Sequence, residues 1–208
     1  MSNLTHAVVL DDHQLFADSF ALLLQRHGAF DAVSSFSKVD EFFGFLETFG
    51  DQTLFVFLDY YLPDTNGLAL LTDIRRLNRH AKIIFITGTI SPAVVRNIVK
   101  YKPNGLLSKS ADIHDFIRCI KDIERGRQYI DTQFEPYLTQ RDEIAVNFTP
   151  REIELLKYFS QGNTIAETAV KTFLSPHTVV AHRRNMMAKA NAQTIAQMLT
   201  YARDNELI

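Results

Sequence analysis

Short apolar segments alternate with helical periodicity along the first 125 residues of the chain. Five of these segments are candidate strands, and four of the five are nearly continuous apolar runs, as expected for parallel strands covered on both faces. The candidate strands are residues 7–10, 31–34, 54–58, 82–87 and 105–108. Five strand–helix units in succession predict an α/β fold with a doubly wound, five-stranded parallel sheet of the flavodoxin type.

Helices are predicted between these strands because apolar residues recur there at steps of three and four. In the first helix, Leu15, Leu22 and Leu23 share the predicted apolar face. In the fourth, Ser91 and Pro92 supply an N-cap and a first-turn proline. Each helix should therefore pack one face against the sheet.

A polar stretch ends this pattern, and the chain then becomes wholly helical. The segments 149–152 and 164–167 both begin with Thr and end with Glu, which is the signature of a capping box. Two short helices joined by a tight turn, the second of them basic, indicate a helix-turn-helix. We therefore predict an α/β domain at 1–126, a linker at 127–146 and an all-α, four-helix domain at 147–208.

Composition excludes several classes of protein. The net charge of −2 is unlike that of a globally basic nucleic-acid coat or an acidic disordered tail. No run approaches the roughly 18 apolar residues of a membrane helix, and Cys119 is the single cysteine, so a cytoplasmic protein without a membrane partner is expected. Residues 168–190 nevertheless carry four basic side chains and no acidic one, a weak nucleic-acid signature.

Chemistry-bearing residues gather at the carboxyl ends of the predicted strands. Asp11 and Asp12 follow the first strand, Asp59 follows the third, and Thr87 and Lys109 end the fourth and fifth. A parallel sheet brings all five to one crevice. Carboxylates are ligands for Mg²⁺, an Asp can accept a phosphoryl group, and a lysine with a hydroxyl can hold phosphoryl oxygens.

These residues lie in motifs that resemble a known family. Residues 6–130 resemble the receiver domain of bacterial two-component response regulators, through the Asp pair, the segment 59–67 (DYYLPDTNG), Thr87-Gly88 and Lys109. Residues 147–208 resemble the LuxR-type helix-turn-helix, through FTPRE at 148–152, Gly162 and LSPHTVVAHR at 174–183. The order of the two parts is that of the NarL/FixJ subfamily.

The resemblance implies a DNA-binding response regulator. Asp59 would accept a phosphoryl group from a partner histidine kinase, and this would control dimerisation and promoter binding. Asp12, Asp59 and the backbone carbonyl of Tyr61 would ligate Mg²⁺, and Asp11 would act through a bound water. Thr87 and Lys109 would hold the phosphoryl oxygens. The protein would not be an enzyme beyond self-catalysed acceptance and hydrolysis of phosphoryl at Asp59, and RNA polymerase is a further expected partner.

Two positions near the phosphoacceptor call for separate interpretations. Most relatives carry an aromatic residue where Leu106 stands, so we expect an apolar switch patch formed by Leu106 with Val94, Val95 and Ile98. Tyr61 stands two residues past Asp59, where the family places a side chain that screens the acyl phosphate from water. This predicts slow self-dephosphorylation, whereas a core role is expected for Tyr60, and a structural or capping role for His13.

The DNA-binding half also departs from its relatives, which usually carry lysine where Val180 stands. The outward positions of the third helix should be Thr178, Val180, Ala181 and Arg184, of which Arg184 alone can bind guanine bidentately. The last helix is the expected dimer surface. The remaining expected DNA contacts are Lys171, His177, His182 and Arg183, and the dimer residues are Met198, Leu199 and Tyr201. An A·T-leaning site and a shallow salt dependence follow.

Two alternatives remain open at this point. The first is an atypical receiver that signals by protein contact without phosphorylation; the intact set of five residues argues against it, and Leu106 argues for it. The second is an aspartyl-phosphate hydrolase. Such enzymes usually carry a second acid two residues past the nucleophile, where this chain has Tyr61.

Overall fold

The structure is a computed structural model that describes residues 5–63, 65–88, 92–139, 148–205 and 207–208. The described ranges form eight strands, ten α-helices and one 3₁₀ turn at Thr132–Phe134. In chain order the strands and helices are β1 His6–Leu10, α1 Gln14–Arg26, β2 Ala32–Phe36, α2 Val39–Phe49, β3 Leu54–Asp59, β4 Tyr61–Leu62, β5 Thr65–Asn66, α3 Gly67–Leu77, β6 Lys82–Thr87, α4 Pro92–Lys100, β7 Gly105–Ser108, α5 Ile113–Glu124, β8 Tyr129–Ile130, α6 Glu135–Thr139, α7 Pro150–Ser160, α8 Ile165–Lys171, α9 Pro176–Lys189 and α10 Ile195–Asp204.

Six strands form one parallel sheet in the order β2-β1-β3-β6-β7-β8, which confirms the doubly wound α/β prediction. The predicted count of five was one strand too few. Tyr129 and Ile130 pair with Gly105 and Leu106 of β7 and extend the sheet by a sixth, two-residue strand. A strand of two residues is too short to show any periodicity, and this one lies inside the predicted linker.

The sheet is covered on both faces, as continuous apolar strands require. Every residue of β3 is buried, and successive side chains point to opposite sides. Val56 and Leu58 pack with helices α2, α3 and α4, whereas Phe55 and Phe57 pack with α1 and α5. The burial of β3 holds Asp59, its last residue, at the carboxyl edge of the sheet.

The structure corrects the predicted inward face of α1. Leu15 is 82% exposed, and Leu22 and Leu23 are exposed as well. The buried side chains of this helix are Ala17, Phe20, Ala21 and Leu24. Two of these four are alanines, whose small side chains give a weak apolar signal. The leucines therefore indicated the wrong face of the helix as the buried one. No helix in the described ranges is long and apolar enough to cross a membrane.

The second half is a four-helix unit whose helix starts agree with the predicted caps. Capping boxes formed by Thr149 with Glu152 and by Thr164 with Glu167 open α7 and α8. Ser175 caps α9, accepting a hydrogen bond from the backbone N–H of Thr178. The cap predicted at Ser91 lies outside the described residues.

One ion pair with a buried carboxylate ties the first helix of this unit to the end of α9. Glu152 is 3% exposed, and its Oε2 lies 2.6 Å from Lys189 Nζ. The same oxygen accepts a hydrogen bond from the backbone N–H of Thr149. Removing Lys189 would be costly, because the Glu152 carboxylate would be left buried without this counter-charge. The pair therefore holds the C-terminal end of α9 against α7.

The two halves meet mainly where α3 packs against α7. Beside this contact, Asn66 Nδ2 donates a hydrogen bond of 3.0 Å to the backbone carbonyl of Leu207, and Leu207 is buried. Asn66 belongs to β5, which pairs with β4 immediately after Asp59. The contact between the halves thus begins a few residues from the carboxyl edge of β3.

Candidate functional site

The predicted crevice exists at the carboxyl edge of the sheet. Asp59 ends β3 and Thr87 ends the neighbouring strand β6, in which Ile86 is the register partner of Asp59. Thr87 in turn pairs with Ser108 of β7, so that Lys109 begins the loop beyond. The backbone N–H of Lys109 donates to the carbonyl of Thr87 at 2.9 Å. Strand register alone therefore places these residues side by side.

Lys109 joins two carboxylates in this crevice. Its Nζ lies 2.6 Å from Asp11 Oδ2 and 2.8 Å from Asp59 Oδ2. Both aspartates are almost fully buried, at 1% and 3% exposure. Buried charges need partners of opposite sign, and here one ammonium serves two carboxylates. The cluster keeps an excess of negative charge, which suits a divalent cation.

The charges of the crevice shift the pKa values of its members. Burial, together with the nearby charge of Asp11, raises the pKa of Asp59 to about 6, although Lys109 acts in the opposite direction. Burial alone would lower the pKa of Lys109, but hydrogen bonds to Asp11 and Asp59 outweigh it and raise that pKa. Lys109 is therefore a permanent cation, while Asp59 is the group whose charge responds to its surroundings.

Asp12 and His13 complete the acidic edge. One ligand atom from each of Asp11, Asp12, His13 and Asp59 lies within 4.8 Å of the others, a spacing that one cation can span. Among the described residues, the buried Oδ1 of Asp12 has no hydrogen-bond partner. An unpartnered anionic oxygen beside two more carboxylates fits an oxygen-preferring cation such as Mg²⁺.

The segment after β3 packs closely against Asp59, and its two tyrosines differ in solvent exposure. Gly67 opens α3 where an added Cβ would lie 2.5 Å from the carbonyl oxygen of Asp59, so no larger residue fits. Tyr60 is fully buried, which confirms its predicted core role, whereas Tyr61 is 37% exposed. Tyr61 lines an open cleft of about 510 Å³ that also reaches Asp59 and Lys109. Its role as a screen for the acyl phosphate stays a prediction.

The expected apolar patch is contiguous. Leu106, Val94, Val95 and Ile98 are all fully buried, and they belong to one apolar cluster. Leu106 lies in β7 opposite Phe85 of β6, two residues before Thr87. Whether this patch has two arrangements stays a prediction, but its position beside the strand of Thr87 is the one that the switch hypothesis requires.

Helix α9 presents a mixed surface. Val180 is 42% exposed and Arg184 is exposed, as predicted, while Val179 and Met186 face the core. His177 is exposed as well. The remaining predicted contacts on this helix are half-buried: Thr178, Ala181, His182 and Arg183. The receiver packs on α7, so Val180 and Arg184 stay open to a ligand in this arrangement.

Lys171 has a partner within the protein, which the sequence did not reveal. Its Nζ donates to Asn163 Oδ1 at 2.7 Å and lies 5.6 Å from the centroid of the Tyr158 ring. The side chain is still exposed, so it can meet a phosphate only by giving up a local hydrogen bond. Its predicted DNA contact is therefore a weaker candidate than that of Arg184.

The predicted dimer surface on α10 needs a correction. Met198 is fully buried in the apolar cluster, so its side chain cannot meet a partner in this arrangement. Leu199 and Tyr201 are half-buried, and the Tyr201 ring lies edge-on to Phe148. An amphipathic helix of a small domain first has to supply that domain's own core, which sequence periodicity does not distinguish from an interface.

Two contacts of the crevice were not predicted from the sequence. The ammonium of Lys109 lies 4.8 Å from the centroid of the Phe16 ring, a cation–π contact that no motif announced. His13 occupies the N-cap position of α1, but its side chain makes no capping hydrogen bond. The expected structural or capping role of His13 is therefore met by its backbone carbonyl, which accepts from the N–H groups of Phe16 and Ala17. Its imidazole, by contrast, faces Asp11 and Asp12.

Comparison with known proteins decides the family. Residues 7–121 match the response regulator receiver domain. The chain belongs to the response regulator family. Residues 146–202 match the luxR family of bacterial regulatory proteins, so this response regulator carries a LuxR-type DNA-binding domain.

Curated relatives match this chain over most of its length. The chain is 24% identical to the Fimbriae Z protein of Salmonella typhimurium, over 97% of each chain. It is 28% identical to the transcriptional regulatory protein UhpA of Escherichia coli, over 87% of this chain and 89% of that protein. The name of the second relative is that of a transcriptional regulatory protein, in line with the predicted function.

Solved structures of RcsB share the fold. In one of them RcsB of Salmonella enterica serovar Typhimurium is bound to the rprA promoter in the presence of the phosphomimetic BeF₃⁻. This response regulator superposes on that structure with a TM-score of 0.65 at 20% identity, over 96% of this chain and 98% of the RcsB chain. The likeness supports the fold of both parts.

Proposed function

We propose that this response regulator accepts a phosphoryl group on Asp59 from a partner histidine kinase, and that the modification controls dimerisation and promoter binding. The observation that carries the proposal is the crevice itself. A buried carboxylate, held 2.8 Å from a lysine ammonium, ends the central strand of the sheet. The opening of about 510 Å³ gives a phosphodonor access to it.

In the transfer, an Asp59 carboxylate oxygen attacks phosphorus as the bond from phosphorus to the donor's nitrogen breaks. The electron pair of that bond stays on the leaving imidazole. Lys109 is placed to hold a phosphoryl oxygen, and Thr87, the last residue of the neighbouring strand, would hold another. Positioning and charge neutralisation are most of what this reaction needs from a protein.

The residues of the crevice would hold Mg²⁺ through Asp12, Asp59 and the backbone carbonyl of Tyr61, with Asp11 acting through water. The bound ion would neutralise charge on the phosphoryl oxygens. Burial raises the pKa of Asp59 although Lys109 lies beside it, so a bound cation would further favour the charged form of this carboxylate. The fit of the donor set to a hard cation therefore supports magnesium dependence.

A short path leads from Asp59 to the DNA-binding half. The backbone N–H of Tyr61 is 3.4 Å from Asp59 Oδ1, and Tyr61 pairs with Asn66 across the β4–β5 ribbon. Asn66 in turn donates to the carbonyl of Leu207. A phosphoryl group on Asp59 would alter the first of these contacts, so we propose that phosphorylation loosens the last.

The proposed DNA contacts are Arg184, Val180 and Ala181 to bases, and His177, Thr178, His182, Arg183 and Lys171 to the backbone. Half-sites arranged as a repeat would be bound by a phosphorylated dimer, for which Leu199 and Tyr201 of α10 remain the candidate surface. RNA polymerase is the proposed further partner. A regulator of promoters works beside the chromosome, so the proposed location is the cytoplasm.

The two alternatives make different predictions in one experiment. The full chain is incubated with acetyl phosphate and Mg²⁺, with Asp59→Ala as the control, and intact mass and free phosphate are followed. The proposal predicts a lasting mass gain that Asp59→Ala lacks. Continuous phosphate release would favour the hydrolase, and an unmodified Asp59 would favour the atypical receiver.

A further inference from the structure

We propose that His13 Nδ1 is an additional ligand of the divalent cation in the acidic crevice, and that it shifts the preference of this receiver from Mg²⁺ toward first-row transition metal ions. The inference rests on the proposed function for the presence of a cation site. It concerns the selectivity of that site, which the three carboxylates alone would leave to oxygen-preferring ions.

The imidazole of His13 neither caps α1 nor packs in the core. His13 is the N-cap residue of α1, a position at which Ser, Thr, Asp or Asn normally caps the helix through its side chain. Its own side chain makes no such bond and is 72% exposed, so neither capping nor core packing explains its orientation. The side chain is instead turned toward the two neighbouring carboxylates.

The distances place Nδ1 among carboxylate oxygens. Nδ1 lies 3.0 Å from Asp12 Oδ1 and 3.4 Å from Asp11 Oδ1. Despite the first distance, Asp12 Oδ1 has no hydrogen-bond partner in the described part of the chain. The nitrogen and the oxygen are therefore close without being aligned as donor and acceptor, an arrangement in which both can direct lone pairs to one ion.

Lys109 does not occupy the side of the carboxylate cluster on which His13 lies. Lys109 contacts the Oδ2 atoms of Asp11 and Asp59, whereas His13 contacts Oδ1 atoms. The backbone N–H of His13 also donates to Asp11 Oδ1 at 3.0 Å, which holds the residue against the crevice. The ammonium and the imidazole thus approach the carboxylates through different oxygens and do not compete for one position.

An imidazole ligand changes which ions bind well. Carboxylates and water suit Mg²⁺, while imidazole nitrogen favours transition metal ions such as Fe²⁺, Ni²⁺ and Zn²⁺. Mn²⁺ accepts both kinds of ligand and reports on its ligands through its unpaired electrons. Replacing the nitrogen should therefore weaken Mn²⁺ binding much more than Mg²⁺ binding.

The test is pulsed electron paramagnetic resonance of the Mn²⁺-loaded full chain, combined with titration calorimetry for Mn²⁺ and Mg²⁺. We expect coupling of the Mn²⁺ electrons to a directly bound ¹⁴N nucleus, which is absent in His13→Ala. His13→Ala should bind Mn²⁺ about tenfold more weakly and should change Mg²⁺ affinity by less than about threefold. His27→Ala, on the exposed end of the same helix, is the matched control and should behave as the wild type.

Mn²⁺ bound without nitrogen coupling, or equal losses for the two ions in His13→Ala, would overturn the inference. His13→Lys separates a ligand from a mere ion-pair partner, because it keeps a cation beside Asp12 but offers no ligand nitrogen when charged. If His13→Lys had the wild-type ratio of Mn²⁺ affinity to Mg²⁺ affinity, a ligand role for His13 would also be contradicted. Phosphorylation of Asp59 in the presence of Mg²⁺ is measured on the same samples, and its failure would refute the proposed function whichever spectrum is observed.

Discussion

Asn66 and Leu207 are 141 residues apart in sequence, yet the Asn66 side chain donates a 3.0 Å hydrogen bond to the Leu207 carbonyl. The same side chain caps α3, because Asn66 Oδ1 accepts from the backbone N–H of Ala69 at 3.1 Å. One amide therefore starts a receiver helix and fastens the far end of the chain to the receiver. The receiver and the DNA-binding domain are joined at the loop that follows the phosphoacceptor.

Replacing Asn66 by Asp separates these two roles. Asp keeps an oxygen for the cap but has no N–H to donate to Leu207, so the Asp variant should loosen the contact of α7 with α3. The loss of one hydrogen bond of about 1 kcal/mol predicts roughly fivefold faster local opening, measured by hydrogen exchange in α7. Asn66→Ala should in addition weaken α3. Unchanged exchange in α7 of the Asp variant would show that this bond does not join the domains.

The raised pKa of Asp59 predicts a pH-dependent stability. The folded chain holds a proton on Asp59 up to about pH 6, whereas the ordinary pKa of an aspartic acid side chain is 3.8. The free energy of unfolding should therefore fall, through this group, as pH rises from about 4 to about 6. Asp59→Asn removes the effect, so its stability advantage should grow over that range to at most about 3 kcal/mol.

Chemical denaturation in the presence of a chelator measures this difference. The exposed Asp51 is the control, because hydrogen bonding to the backbone of Arg79 lowers the pKa of Asp51. Asp51→Asn should therefore lose stability relative to wild type as pH rises, the opposite direction. A stability difference between wild type and Asp59→Asn that does not vary with pH would contradict the assigned shift.

Tyr61 is predicted to prolong the life of the phosphorylated form. Tyr61 is partly exposed and lines the cleft that reaches Asp59, where its ring would exclude water from the acyl phosphate. Tyr61→Asn should shorten the lifetime on the order of tenfold, which corresponds to about 1.4 kcal/mol of barrier. Tyr61→Phe keeps the ring and should keep the lifetime, measured as the decay of the phosphorylated mass. Equal lifetimes in all three proteins would remove this role.

Val180 is predicted to make DNA binding less sensitive to salt than a lysine would. Val180→Lys adds one cation on the exposed side of α9, so the slope of log affinity against log salt should steepen by about 0.9. Leu22→Lys adds the same charge on the receiver helix α1 and should leave the slope unchanged. If both variants change the slope equally, long-range charge rather than a contact of α9 governs binding.

Much of the site follows from the sequence because strand ends are easy to locate. The β3 run of six buried residues ends at Asp59, and register then carries Thr87 and Lys109 to its side. The helix starts at Thr149, Thr164 and Ser175 were predicted for a similar reason, since capping depends on neighbouring residues alone.

What the sequence did not predict depends on contacts between distant residues. The burial of Met198, the phase of α1 and the β8 strand depend on which surfaces meet, and periodicity alone does not decide this. The Asn66–Leu207 bond and the orientation of His13 are also outside any local pattern, because each needs a partner placed by the whole fold.

The central claim is that a phosphoryl group on Asp59 controls DNA binding, and selection from genomic DNA tests it most directly. Wild type and Asp59→Ala are each treated with acetyl phosphate and Mg²⁺, or left untreated, and the bound genomic fragments are sequenced. Phosphorylated wild type should enrich a small set of fragments with repeated half-sites by at least about tenfold over the other three samples. Equal enrichment by treated Asp59→Ala would contradict the account.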